Sequence, residues 1–368
     1  VNSGSGPAFD LTVADLLEDT GLALVAGSVT PSDGTATIVE IGDGFRVTVD
    51  LLDAGDTLQI VYQATVQDIA EFNGSVDNTA IVERFDSNPS DDPADEARET
   101  VFDANDPDAD LFDSETVPTV SVTLDKATTV ADTSQAETGD GAFDPALVDL
   151  SVGEEVVYTL TIGVPEGSGV LVLTDELPDG LTALRAEVAA IAAGVTTANL
   201  TVGDDDIGSA AITLAGDGSS VVFDFGLTQS AGVDDPAGAG DLREIQVQVT
   251  AIVADVAAAT AGAELTNTAT LQAFDPVDQG VELTDPLNPT TASETVEVVE
   301  PAIAIDKIAP TGPVDAGDIV AFTLNIVNSG SGPAFDLTVA DLLEDTGLAL
   351  VAGSVTPSDG TATIVEIG

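Results

Sequence analysis

Hydrophobic residues alternate with polar ones, or run together in short β-branched stretches, along most of the chain. Examples are residues 156–162, 170–174, 245–253 and 265–271, which Gly, Pro, Asp and Asn separate from their surroundings. A period of two between turn residues predicts β-strands. The Ala-rich residues 181–193 are the one helix candidate. Many short strands in a chain with 35 Gly and 18 Pro predict an all-β fold of tandem immunoglobulin-like β-sandwich domains in a repeat array.

Two repeats divide the chain. Residues 1–42 recur without a change at 327–368, and a weaker repeat relates SVTLDKATT to IAIDKIAPT and LTNTATLQAFD to VDNTAIVERFD. We therefore expect the closing part of a first domain at 1–116, whose opening part lies in the preceding repeat, a complete second domain at 117–299, and the opening part of the next copy of the first domain at 300–368. Since the chain contains no Met, we expect it to be an excerpt from a longer repetitive polypeptide.

The composition restricts the possible functions. The chain has 66 Asp and Glu against 7 Lys and Arg, a net charge of −59, yet it is 43% hydrophobic, which is typical of a folded protein with an acidic surface. The negative electrostatic field of such a surface repels nucleic acids and anionic membranes. The absence of Cys and His excludes disulfides, thiol- or histidine-based catalysis and the usual zinc ligands. No apolar run approaches the roughly 20 residues of a membrane-spanning helix.

A fixed order of short motifs marks both domains. A first strand with Lys is followed by G-[DE]-x-V-x-[FY]-T-L, N-x-G, a strand ending in Asp before L-P-x-G-L, and a last strand with N-T-A. This order resembles the conserved repeat domain of large bacterial and archaeal surface proteins, a domain-of-unknown-function type that is similar to isopeptide-forming fimbrial domains. The second domain departs from it with GVPEGSG in place of N-x-G, and the first with DLLEDTGL in place of D-L-P-x-G-L. The resemblance implies an extracellular stalk, adhesin or fibre module without established enzymatic activity.

The two lysines of the chain occupy equivalent places in their domains. Period-two alternation sends each lysine, together with one Asp and one Asn, to the face that should form the core. These residues are Lys126, Asp175 and Asn267 in the second domain, and Lys307, Asn78 and Asp15, with Asp341 as the repeat copy of Asp15, in the first. Because burying an unpaired ammonium or carboxylate costs several kcal/mol, the three groups of each domain should meet.

The lysine, aspartate and asparagine allow more than one interpretation. In the first, an apolar site lowers the lysine pKa and raises that of the aspartate, so that the neutral amine attacks the asparagine carboxamide and a Lys–Asn isopeptide bond forms as ammonia leaves. Such a bond would join the first and last strands, and it parallels the fimbrial resemblance. In the second, the groups form an ordinary buried ion pair with the asparagine hydrogen-bonded nearby or fixing a bulge. A third possibility is that the assigned strand faces are wrong.

Acidic loops are the candidates for calcium binding. Twelve of the thirty residues at 86–115 are Asp or Glu, and dense carboxylates can supply the six to eight oxygens that calcium needs. An EF-hand is excluded because Leu111 replaces its Gly and Val117 its bidentate Glu. The alternative is a solvated surface adapted to high salt. The candidate ligands in these loops and in the matching stretch of the second domain are Asp86, Asp91, Asp92, Asp95, Asp103, Asp106, Asp108, Asp110, Asp113, Asp275, Asp278 and Asp285.

These observations predict a structural role. We expect a repeat unit of an extracellular stalk, adhesin shaft or surface filament whose partners are neighbouring repeats or identical subunits. The alternative is an adhesive module that binds a glycan or protein ligand through its loops. We expect no enzyme activity beyond autocatalytic isopeptide formation, and whether the first domain closes within one chain or between subunits stays open.

Overall fold

The computed structural model of the chain describes residues 1–17, 21–67, 74–89, 99–101, 111–130, 144, 146–231, 242–277, 283, 290–343 and 346–366. These residues form strands and turns and contain no α-helix, so the described segments hold no helix that could cross a membrane. The predicted all-β fold is confirmed. The chain divides into two compact units, Val1–Val299 and Glu300–Gly368.

The first ten strands make up what we call the N-terminal module. They are β1 (Ala8–Asp15), β2 (Leu22–Leu24), β3 (Thr30–Pro31), β4 (Thr37–Ile41), β5 (Gly44–Leu52), β6 (Ile60–Val61), β7 (Ala64–Val66), β8 (Ser75–Asp86), β9 (Glu99–Val101) and β10 (Phe112–Pro118). One antiparallel sheet has the order β10-β8-β1-β5-β4, with β9 also paired to β8. Two short pairs, β2 with β7 and β3 with β6, form separate two-stranded sheets. Its small core is formed by Val29, Phe45 and Val47.

The next eleven strands make up the central module. They are β11 (Thr123–Val130), β12 (Val148–Leu150), β13 (Glu155–Val164), β14 (Gly167–Glu176), β15 (Leu181–Ile191), β16 (Val195–Thr197), β17 (Ile212–Leu214), β18 (Ser220–Ser230), β19 (Arg243–Val253), β20 (Glu264–Phe274) and β21 (Thr290–Val298). A four-stranded sheet has the order β11-β13-β19-β15, and a seven-stranded sheet has the order β12-β21-β20-β14-β18-β16, with β17 paired to β18.

Alternating apolar residues join the two sheets of the central module into a sandwich. Every second residue of β13 from Val156 to Ile162 is fully buried, as is every second residue of β19 from Ile245 to Ala251. They share one continuous core with residues of the other sheet such as Leu171 and Phe223. Burial of each such side chain contributes about 1.5–3 kcal/mol, so this core is what stabilises the module.

The helix candidate at 181–193 is wrong, since its residues form strand β15. The pairing of β15 with β19 shifts register between Ala183 and Arg185 and again between Val188 and Ala190. Each bulge adds a residue to one strand and moves the following side chains to the opposite face. The period of two is therefore broken within the segment, and the Ala content alone suggested a helix.

The unit Glu300–Gly368, which we call the C-terminal segment, has one two-stranded antiparallel sheet among its described residues. It consists of β22 (Ile303–Ile308) and β23 (Thr323–Asn328). Apolar side chains on this sheet, among them Ile303, Ile305 and Ile326, are exposed.

The identical residues 1–42 and 327–368 adopt different structures in the two units. Residues of the first copy form β1, between β5 and β8, whereas their counterparts at 334–341 form no strand. Leu11 is consequently 7% exposed, and its copy Leu337 is 52% exposed. A strand needs neighbours for its backbone hydrogen bonds and for its apolar face, and the C-terminal segment contains no counterpart of β5 or β8 among its described residues.

The repeated leucine allows a matched test of burial. Leu11→Ala should lower the free energy of unfolding of the N-terminal module by about 2–3 kcal/mol, because it leaves a cavity beside β5 and β8. Leu337→Ala should change it by less than about 0.5 kcal/mol. Urea unfolding of the dilute chain, followed by Tyr62 fluorescence in a Tyr158→Phe background, measures both effects because the chain has two Tyr and no Trp. Equal effects of the two substitutions would contradict the assignment of β1.

Candidate functional site

Three strands of the central module position the lysine, aspartate and asparagine that the sequence analysis expects to meet in the core. Lys126 lies on β11, Asp175 near the end of β14 and Asn267 on β20. The pairing of β14 with β20 places Asp175 opposite Ala269, two residues from Asn267 and on the same face. The sequence predicts that the asparagine strand is the last strand of its domain. That prediction is wrong, because β21 follows β20 and pairs with both β20 and β12.

The carboxylate of Asp175 bridges the other two side chains. Lys126 Nζ forms an ion pair with Asp175 Oδ1, and both side chains are inaccessible to solvent. Asn267 Nδ2 donates a hydrogen bond to Asp175 Oδ2 at 3.1 Å, and Asn267 is also fully buried. The ammonium of Lys126 lies 4.8 Å from the ring centroid of Tyr158, which adds a favourable cation–π contact. Amine and carboxamide are thus held against the same carboxylate in a dry interior.

Burial dominates the electrostatics of this cluster. It lowers the pKa of Lys126, although Asp175 and, more weakly, Glu294 act in the opposite direction. Burial likewise raises the pKa of Asp175, against the charge of Lys126 and the hydrogen bond from Asn267. Both shifts favour a neutral amine beside a protonated carboxyl group. A neutral amine is a nucleophile, and a carboxyl group between amine and amide can move a proton from one to the other.

Sequence reasoning missed Glu294 and Tyr158. Glu294 lies directly opposite Asn267 in the pairing of β20 with β21, and it raises the pKa of Lys126. The signal for it is the tetrapeptide SETV, present at 114–117 and at 293–296, since Glu115 lies opposite Asn78 in the same way. The Tyr158 hydroxyl is buried and has no hydrogen-bond partner among the described residues, and burial raises its pKa.

The N-terminal module contains the acid and the amide of its set without a lysine. Tyr62 Oη donates to Asp15 Oδ2 at 2.6 Å, and Asn78 Nδ2 lies 3.0 Å from the same oxygen and 2.6 Å from Tyr62 Oη. The Oδ1 atoms of Asp15 and Asn78 are buried and have no hydrogen-bond partner among the described residues. Tyr62, which sequence reasoning also missed, has its pKa raised by burial and by Asp15.

The lysine of this set lies in the C-terminal segment. Lys307 Nζ contacts both carboxylate oxygens of Asp341, at 2.8 and 2.9 Å, and lies 4.9 Å from the ring centroid of Phe322. The two charged side chains are 41% and 33% exposed, so the burial expected for them is not found here. The segment has too few strands to enclose them. Asn78 belongs to the other unit of the chain.

Most of the candidate calcium ligands lie outside the described residues. Asp86, Asp113 and Asp275 are described, but no group of three or more carboxylates converges within the part of the chain that the structure covers. Asp275 Oδ1 accepts a hydrogen bond from its neighbour Val277 N at 2.6 Å, which is a local turn contact. The remaining candidates lie outside the described residues: Asp91, Asp92, Asp95, Asp103, Asp106, Asp108, Asp110, Asp278 and Asp285.

Comparisons with known proteins find similar structures and no similar sequences. No known family's profile matches the chain, and no curated protein matches it in sequence. The major pilin subunit BcpA of Bacillus cereus is 14% identical, with 89% of this chain and 81% of the pilin covered at a TM-score of 0.33. The T6 backbone pilin of Streptococcus pyogenes is 11% identical over 83% of this chain and 66% of its own, at a TM-score of 0.30. The collagen adhesin of S. aureus is 10% identical over 87% and 84%, at a TM-score of 0.24. Likenesses this remote carry no argument about function.

The two lysine–aspartate pairs provide a matched test of the buried cluster. Lys126→Ala should destabilise the central module by about 3–5 kcal/mol, because it leaves Asp175 buried without its cation. Lys307→Ala, which removes the equivalent exposed pair, should cost no more than about 1 kcal/mol. Urea unfolding followed by Tyr158 fluorescence in a Tyr62→Phe background reports the first effect, and circular dichroism of the whole chain reports the second. A small effect of Lys126→Ala would contradict the buried cluster.

Proposed function

We propose that this chain is a structural repeat unit of an extracellular stalk, adhesin shaft or surface filament, and that Lys126 and Asn267 form an intradomain isopeptide bond. The observation that carries the proposal is the sealed cluster of Lys126, Asp175 and Asn267 in a sandwich without cysteine. The bond would link β11 of the four-stranded sheet to β20 of the seven-stranded sheet. It would therefore hold the sandwich closed against a force that pulls its two sheets apart.

The reaction needs the groups of the cluster and no further reagent. The neutral Nζ of Lys126 attacks Cγ of Asn267, and the protonated carboxyl group of Asp175 donates its proton toward the amide. The new Nζ–Cγ bond forms as the Cγ–Nδ2 bond breaks, and the proton lost by Nζ passes through Asp175 to the leaving group. One ammonia leaves, and Asp175 ends in the protonation state in which it began. The pKa directions of Lys126 and Asp175 support this order of proton transfers.

A role as a connector also fits the composition. The repeated residues 1–42 and 327–368 are identical in sequence, as expected for units that do the same mechanical work. A net charge of −59 keeps such modules soluble and prevents their non-specific association with nucleic acids. We propose neighbouring repeats or identical subunits as partners.

Intact mass decides whether the bond exists. The purified chain should be lighter than its sequence mass by one ammonia, since the second lysine, Lys307, belongs to a different unit from Asn78. Lys126→Ala and Asn267→Ala should each have the full mass calculated for that variant. Asp175→Asn should also have its full calculated mass, because it removes the proton relay with little change in shape.

Lys307→Ala serves as the matched control and should keep the deficit of one ammonia. Digestion of the wild-type chain should yield a branched peptide that joins β11 to β20. A wild-type chain at its full sequence mass would reject the bond and leave a buried ion pair in its place.

We also propose that calcium binds the acidic residues at 86–115. Calcium should raise the Tm of the chain by at least about 4 °C relative to EDTA, since a ligand that binds the native state alone stabilises it by mass action. Replacement of Asp106, Asp108 and Asp110 by Asn should abolish the rise, whereas Asp255→Asn, at an exposed carboxylate elsewhere, should leave it unchanged. An identical Tm in calcium and EDTA would favour the solvated acidic surface.

A further inference from the structure

The N-terminal module matches the central module in one sheet and falls short of it in the other. Its order β10-β8-β1-β5 corresponds to β21-β20-β14-β18, with the same register at the site, because Asp15 pairs with Ala80 as Asp175 pairs with Ala269. The short pairs of β2, β3, β6 and β7 correspond to β15 and β19. In the central module, β19 is bordered by β13 and then by β11. The described residues of the N-terminal module include no counterpart of either strand.

The counterparts of β11 and β13 are β22 and β23. Lys307 pairs with Leu324 across β22 and β23 as Lys126 pairs with Leu160 across β11 and β13. Each lysine also lies near an aromatic ring. Lys307 Nζ is 4.9 Å from the ring centroid of Phe322, and Lys126 Nζ is 4.8 Å from that of Tyr158. The C-terminal segment thus presents, already paired, the two strands that have no counterpart among the described residues of the N-terminal module.

Two features of the N-terminal module indicate where these two strands would pair. Val66 of β7 is 55% exposed, whereas its counterpart Val253 of β19 is 1% exposed beside β13. Asn2 N donates a hydrogen bond to Asp56 O at 2.9 Å. Asp56 is the counterpart of Arg243, which pairs with Val164, the last residue of β13. Asn2 is the repeat copy of Asn328, the last residue of β23.

The polar groups of the N-terminal module point to the same occupant. The buried Oδ1 atom of Asp15 has no partner among the described residues, whereas the equivalent Oδ1 atom of Asp175 is paired with Lys126. Leaving such an acceptor unsatisfied costs about 1–3 kcal/mol. A lysine that enters with β22 would supply the missing donor.

We propose that two copies of this chain associate by exchange of the repeated segment. Residues 300–368 of one copy complete the N-terminal module of a second copy, with residues 327–368 taking the place of the identical residues 1–42. The exchanged residues make the same contacts in either position, because their sequences are identical. Strands β22 and β23 add the two missing strands, so the exchange gains apolar burial and a buried ion pair. Exchange of an identical element is a low-cost route to assembly.

This inference rests on strand order and register, and it holds with or without an isopeptide bond. Lys307 and Asp341 would enter the second copy together and meet its Asn78 and Tyr62. Because the donor and acceptor surfaces are different, the association is heterologous and leaves one of each free at the ends. Each further copy adds to the same line, so the expected product is a head-to-tail filament.

Two substitutions on β22 test the association. Ile303 and Ile308 are 42% and 49% exposed in the hairpin. The counterpart of Ile303 is Val122, which is buried, and that of Ile308 is Ala127, which is exposed. Sedimentation of the full chain over a wide concentration range should show growing oligomers. Ile303→Asp should weaken association at least about a hundredfold, because it places a carboxylate in the completed core. Ile308→Asp, the same change on the outward face, should leave it nearly unchanged.

An engineered disulfide distinguishes exchange between copies from closure within one chain. Thr159 pairs with Gln248 across β13 and β19, and their counterparts are Thr323 and Val61. The chain has no cysteine, so the variant with Thr323→Cys and Val61→Cys should give a ladder of disulfide-linked oligomers on a non-reducing gel, and either single variant at most a dimer. Adding Ile303→Asp should remove the ladder.

A monomer at all concentrations would overturn the proposal. So would a disulfide closed within a single chain, or equal effects of Ile303→Asp and Ile308→Asp. If the chain keeps its entire sequence mass while the double-cysteine variant still forms the ladder, the isopeptide bond is refuted and segment exchange stands.

Discussion

A lysine and an aspartate that are sealed from water must satisfy each other, and this requirement organises the central module. Lys126 and Asp175 reach the interior from different sheets, and either of them alone would cost several kcal/mol there. The pair is therefore tolerated only if the strands meet in one register. Asn267 completes the set by donating to the second carboxylate oxygen. The same geometry that satisfies the charges also holds an amine and a carboxamide against one carboxylate.

The repeated residues separate what a sequence dictates locally from what it needs neighbours to form. The turn in which Asp33 accepts hydrogen bonds from Thr35 recurs at Asp359 and Thr361 with nearly the same distances. The left-handed backbone of Asp10 recurs at Asp336. Strand β1, in contrast, exists in the first copy alone. Turns close over a few residues and are carried by the sequence itself, whereas a strand depends on partners that may be distant in the chain.

The same distinction explains which parts of the site could be predicted. Alternation along single strands was sufficient to find Lys126, Asp175 and Asn267, because each strand reports its own inward face. Glu294 and Tyr158 were missed, since they join the cluster through a strand pairing and a ring contact that alternation does not encode. Strand β15 was mistaken for a helix because two bulges interrupt its period. Alternation also does not encode which strands pair with each other. The order of strands in the sheets, and the pairing of β21 with β20 and β12, could therefore not be predicted from it.

The position of β21 has a mechanical consequence. With a covalent bridge at Asn267, tension entering through β11 would bypass the whole loop of chain between the bridged residues. It would still load the roughly 30 residues from there to the end of β21, which lie outside the bridge. At about 3.3 Å per extended residue, that tail could release on the order of 100 Å of slack while the bridged core stayed shut. Because this tail carries the core residues Leu271, Val296 and Val298, such slack would come from unfolding of part of the seven-stranded sheet, and refolding of β20 and β21 would take it up again.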